Sequence, residues 1–74
     1  MISEQQQEIL IKFGRHLEYL RKQKNLSYRK IAQNCDIDYS DISKIEKGEK
    51  NITLLTILEL AQGLEVEAAE LMRF

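Results

Sequence analysis

The sequence predicts an all-α fold in which five helices share one core, and three observations carry that prediction. The 74 residues contain no proline and only three glycines, so little interrupts a helix. Apolar residues recur at three- and four-residue spacing, and no stretch alternates as a half-buried strand would. Capping residues stand where the periodic stretches begin, at Ser3, Ser27, Asp38 and Thr53.

Taken in order, Ser3 opens a first helix that reaches about Lys24. Its core stripe is Leu10, Phe13, Leu17 and Leu20, and Asn25 can end it in a left-handed conformation. Ser27 opens a second helix over 28–35, where Ile31, Ala32 and Cys35 share a face. Asp38 opens a third over 39–47, with Ile42 and Ile45 inward and Gly48 as the stop. Thr53 opens a fourth, whose inward face is Leu54, Ile57, Leu60, Ala61 and Leu64. Val66 and residues 67–72 read as a closing helical turn or two. A single domain is expected over 1–74, with no linker, repeat or low-complexity segment.

Helices two and three are too close in sequence to lie antiparallel along their length. They must cross steeply, which is helix-turn-helix geometry, here over about 27–47. Such a unit presents its second helix as a rod, and a rod of that width fits the major groove of B-DNA.

Charge supports this when taken by segment. The whole chain carries −1, but residues 12–50 hold ten Lys and Arg against six Asp and Glu. Positive charge is thus gathered in and just ahead of the two-helix unit. No apolar run approaches the roughly 20 residues that span a bilayer, and no signal peptide is visible. Cys35 is the only cysteine, so an intramolecular disulfide is excluded and a cytoplasmic location is expected. Cys35 itself is expected as a small buried hydrophobe. His16 is expected on an exposed face, with no Cys or His partner at metal-ligand spacing. No metal, no cofactor and no enzymatic activity is expected, since neither a catalytic triad nor a glycine-rich phosphate loop is present.

Over residues 13–71 the chain resembles the lambda-repressor/Cro-type helix-turn-helix domain of the XRE family. The likeness runs in register through FGRHLEYLRKQKNLS, KIAQNCDID, SDISKIEKGEKNITLLTILELAQGLEV and AAELM. It is similar to small stand-alone regulators such as restriction–modification controller proteins. The resemblance implies a compact five-helix DNA-binding domain: a transcriptional regulator, repressor or controller, that binds a palindromic operator through the major groove as a dimer.

The resemblance places Tyr39, Ser40, Ser43 and Lys44 at base-reading positions. Lys44 can donate to guanine O6 and N7, the serines can donate or accept, and Tyr39 can meet a thymine methyl or a phosphate. Phosphate contacts fall to Ser27 and Tyr28 at the start of helix two and to Lys47, Lys50 and Asn51 after helix three. Arg29 is a weaker candidate. Arg21 and Glu46 are expected to form a structural ion pair that fixes helix three against helix one. Two aspartates depart from the family pattern. Asp36 occupies the turn position usually held by glycine and is expected to be left-handed there. Asp41 puts a carboxylate beside the groove-facing set, either to accept from cytosine N4 or to orient a neighbouring side chain.

Leu55 and Leu58 lie off the inward stripe of helix four. With Val66, Leu71, Met72 and Phe74 they are expected to form an apolar surface that a two-fold dimer buries, setting two recognition helices about 34 Å apart. Ile2, Ile9 and Ile11 offer a second candidate surface. The expected partners are double-stranded DNA and a second copy of the chain, with no membrane. Two readings stay open beside this one: an antitoxin or interaction module with a toxin partner, and a coactivator-like bridge that touches proteins only.

Overall fold

A computed structural model describes residues 2–74 as five helices, with no strand among the described residues: α1 (Glu4–Gln23), α2 (Tyr28–Gln33), α3 (Tyr39–Glu46), α4 (Leu54–Leu64) and α5 (Ala68–Leu71). Helix α1 begins with a reciprocal cap. Ser3 Oγ accepts from the Gln6 N–H at 3.2 Å, and Gln6 Oε1 accepts from the Ser3 N–H at 3.0 Å. It closes at Asn25, φ 55°, where the N–H groups of Asn25 and Leu26 reach back to the carbonyls of Lys22 and Arg21, both at 3.1 Å. The same paired bonds close α3 at Gly48, φ 73°, and α4 at Glu65, φ 59°.

Three local expectations are corrected. Helix α2 stops at Gln33, two residues short of Cys35, which is half-buried and donates its thiol to the Ile31 carbonyl at 3.2 Å. Asp38 holds the N-cap position of α3 but makes no side-chain cap bond. Its carbonyl alone collects the Asp41 and Ile42 N–H groups, at 3.0 and 3.2 Å. Asp36 is not left-handed: among the described residues positive φ occurs only at Asn25, Glu65 and Gly48. The turn is instead held from α4, with the Asp36 N–H on Glu59 Oε1 at 2.8 Å and Gln62 Nε2 donating to the Asn34 carbonyl at 3.0 Å.

The core is one cluster built around Phe13, Leu17, Leu20, Ile31, Ile42, Ile45, Leu60, Leu64 and Leu71. Full burial of each such side chain stabilises by about 1.5–3 kcal/mol. Helix α1 packs on α3 and α5, α2 on α3 and α4, and α4 on α5. Leu54 corrects the predicted stripe of α4. It is the first residue of the helix and shares the angular position of Ala61, yet it is 71% exposed. His16 is a further correction: it is half-buried, and its Nε2 hydrogen-bonds the Glu70 carbonyl at 2.7 Å, tying α1 to α5. No described helix is long and apolar enough to cross a membrane.

Candidate nucleic-acid interface

The eight residues of α3 divide into a buried face, an exposed face and two flanks. Ile42, Ile45 and Glu46 are buried. At 100° per residue the opposite stripe is Ser40 and Lys44, continued by Lys47 at the C-cap, and all three are exposed. Tyr39 and Ser43 flank that stripe on the side facing α2, and Asp41 flanks it on the side of the loop that follows α3.

The buried face is held by one polar cluster. Arg21 Nε donates to Glu46 Oε2 at 2.6 Å and a terminal nitrogen of Arg21 reaches Oε1 at 3.3 Å. Tyr28 donates its hydroxyl to Oε1 at 2.8 Å, and the other terminal nitrogen of Arg21 donates to the Leu26 carbonyl at 3.1 Å. The guanidinium also lies over the Tyr28 ring, 4.3 Å from its centroid. Glu46 is 7% exposed, yet no buried side-chain nitrogen or oxygen among the described residues lacks a partner. The Glu46 carboxylate raises the pKa of Arg21 above its ordinary value against an opposing effect of burial, so the guanidinium stays charged. Burial first, and the bond to Glu46 second, raise the Tyr28 phenol above its ordinary range.

This geometry corrects the expectation that Tyr28 offers its hydroxyl to phosphate. The hydroxyl points inward and is donated to Glu46. Ser27 is exposed, but its Oγ already accepts from the Lys30 N–H at 3.1 Å. Lys47 and Asn51 are exposed, and Lys50 is bound to Asp41 Oδ1 at 3.0 Å. The structure therefore gathers Tyr39, Ser40, Ser43, Lys44, Lys47, Lys50 and Asn51 along α3 and its exit, and it turns Tyr28 away.

One contact and one residue that the sequence did not announce also shape this face. Arg29 stacks over the exposed Tyr39 ring at 4.8 Å, a contact across the turn that no sequence spacing announces. Gly14 lets α1 approach α3 so closely that a Cβ there would run into the backbone carbonyls of Ile45 and Glu46. An isolated glycine inside an otherwise regular helix was the available signal for that approach. Among the described residues, no three of His, Cys, Asp and Glu lie close enough together to hold a metal ion.

A short helix locked on one face by a second and carrying a continuous polar stripe on the other defines a helix-turn-helix domain. The chain belongs to the helix-turn-helix family, whose sequence profile matches residues 17–71, and within it to the lambda-repressor/Cro (XRE) type of transcriptional regulator. It is 37% identical over 65 residues to the control protein C.MunI from a Mycoplasma species, covering 86% of this chain and 88% of that one. The restriction-modification controller protein C.AhdI from Aeromonas hydrophila superimposes with a TM-score of 0.81 at 39% identity, over 86% of this chain and 97% of that one. A second controller, C.Esp1396I, solved as a tetramer in complex with its natural 35-base-pair operator, matches with a TM-score of 0.79 at 25% identity, over 85% and 83%.

Proposed function

We propose that the chain is a sequence-specific DNA-binding regulator of controller type that docks α3 in the major groove and acts in the cytoplasm as a dimer. The observation that carries this reading is the exposed stripe Ser40–Lys44–Lys47, set on a helix whose other face is fixed by the Arg21–Glu46 cluster. Preorganised donors and acceptors at that spacing suit base edges. Tyr39, Ser40, Ser43 and Lys44 would read bases, while Ser27, Lys47, Lys50 and Asn51 would position the backbone. The operator complex of C.Esp1396I supports the same use of the fold.

The apolar surface favours self-association. Leu55, Leu58, Met72 and Phe74 are 72%, 46%, 52% and 45% exposed. A second copy covering this surface would bury it and pair two recognition helices about 34 Å apart, a spacing in scale with a molecule measuring 32 × 22 × 19 Å. Leu71 is removed from the candidate interface, because it is fully buried in the core. The same surface is what an antitoxin reading would use for a toxin.

Selection of bound duplexes from a random pool, followed by gel shift with the wild-type chain and with Lys44→Ala, tests the reading. Wild type should bind a palindrome and lose roughly 10³-fold or more in affinity between about 50 and 200 mM salt. Lys44→Ala should lose preference at one base position at a cost of about 1–3 kcal/mol. Absence of any shift at the lower salt would overturn it, and a stoichiometric co-purifying protein would favour the antitoxin reading.

A further inference from the structure

Asp41 is the carboxylate on the flank of α3, and its Oδ1 accepts from Lys50 Nζ at 3.0 Å. Both side chains stay open to solvent, at 37% and 42%. Lys50 lines a groove beside α3 together with Asp36, Asp38 and Asp41; it is the one cation among the described residues that line it, and of the three aspartates it hydrogen-bonds Asp41.

A solvent-exposed pair of this kind is weak, so phosphates can open it. While closed, it withholds one ammonium from the cations that a duplex of any sequence attracts. Opening it also strands a carboxylate beside an anionic backbone. That cost is relieved only where a base edge offers a donor. The exocyclic amino groups of cytosine N4 and adenine N6 qualify, and the carbonyls of guanine and thymine do not.

Resting on the DNA-binding reading above, we propose that Asp41 is a specificity-determining residue that acts through Lys50. It exchanges Lys50 for a base amino group on a matched duplex, freeing the ammonium for phosphate, and it keeps hold of Lys50 on an unmatched one. The aspartate that looks out of place beside DNA is, on this view, what suppresses indiscriminate binding.

The test uses the full chain and two labelled duplexes, one selected from a random pool by the wild-type protein and one a shuffled sequence of the same composition. Asp41→Asn should raise affinity for the shuffled duplex about 3–10-fold and steepen the dependence of log K on log salt by about one released counterion. The preference for the selected duplex should fall by a similar factor, with thermal unfolding unchanged. Lys50→Gln should weaken the selected complex and change the shuffled one little, and adding Asp41→Asn to it should leave binding of the shuffled duplex where Lys50→Gln left it. An equal rise in both backgrounds would mean that the carboxylate merely repels phosphate, which overturns the exchange. Unchanged binding by Asp41→Asn, with wild type binding normally, overturns the inference alone. Failure of the folded wild type to bind either duplex overturns the DNA-binding reading and the inference with it.

Discussion

Arg21 and Glu46 meet at 2.6 Å, 25 residues apart in sequence, and their contact joins α1 to the last residue of α3. Tyr28 completes the carboxylate's shell from α2, so three helices converge on one buried anion. Removing one partner leaves the other buried and uncompensated. Glu46→Ala or Arg21→Ala should each cost about 3–5 kcal/mol, a large share of the total stability of a domain of this size. Replacing both, as Arg21→Met with Glu46→Leu, should recover much of that loss, because the stranded charge goes with its partner. Urea unfolding of the two singles and the double reads this directly. Single variants losing less than about 1 kcal/mol would show that the pair is no more than a surface bridge.

Tyr28 makes the same cluster sensitive to alkali. Burial disfavours the phenolate, and Glu46 accepts the phenolic proton's hydrogen bond, so the folded pKa lies above that of the unfolded chain. The neutral phenol is what the fold binds. Its contribution is therefore complete below the unfolded value of about 10 and is lost as pH rises through the raised folded value. Urea midpoints followed across that range should decline more gently in Tyr28→Phe than in wild type. A tyrosinate absorbance titration should lose its latest step in the same variant. Identical decline in both chains would place the alkaline sensitivity elsewhere.

The fold was legible in the sequence because its causes are local. Ser3, Ser27 and Thr53 each cap the helix they precede, and the stripe from Phe13 to Leu20 follows from spacing alone. What escaped depended on contacts between distant segments. Asp36 needs no left-handed backbone because Glu59 and Gln62 reach across from α4 to satisfy the turn. Asp41 is held by Lys50, Tyr39 by Arg29, and His16 by the Glu70 carbonyl. Leu54 shares the inward side of α4 yet stays exposed, and periodicity reports a face without reporting where the core ends. The exposed stripe was readable for the opposite reason, since it is whatever remains of α3 once Ile42, Ile45 and Glu46 turn inward.

Glu65 carries a conformation that its side chain disfavours. It stands at φ 59° and ψ 43°, where its N–H and that of Val66 close α4 on the carbonyls of Gln62 and Ala61. A left-handed residue with a Cβ costs about 1–2 kcal/mol, against which glycine loses extra chain entropy on folding. Glu65 is exposed, and no side-chain hydrogen bond or ion pair of it is found among the described residues. Glu65→Gly should therefore stabilise by about 0.5–1 kcal/mol, with DNA binding unchanged. A lower melting temperature would mean that the carboxylate does something its exposed position hides.

Leu71 and Leu55 separate the core from the surface that a second copy is proposed to cover. Leu71 is the last residue of α5 and fully buried, whereas Leu55 is 72% exposed near the start of α4. Leu71→Ala should cost about 2–5 kcal/mol by leaving a cavity, at every protein concentration. Leu55→Glu should cost the monomer little, since Leu55 is outside the core, but it puts a charge on the apolar surface that Leu55 is proposed to share with Leu58, Met72 and Phe74. Sedimentation equilibrium should then find wild type as a dimer and Leu55→Glu as a monomer, and the variant should bind a single half-site far more weakly than wild type binds the palindrome. If Leu55→Glu remains dimeric, the interface lies elsewhere, and the exposed Ile2 and Ile9 near the start of α1 become the surface to charge next.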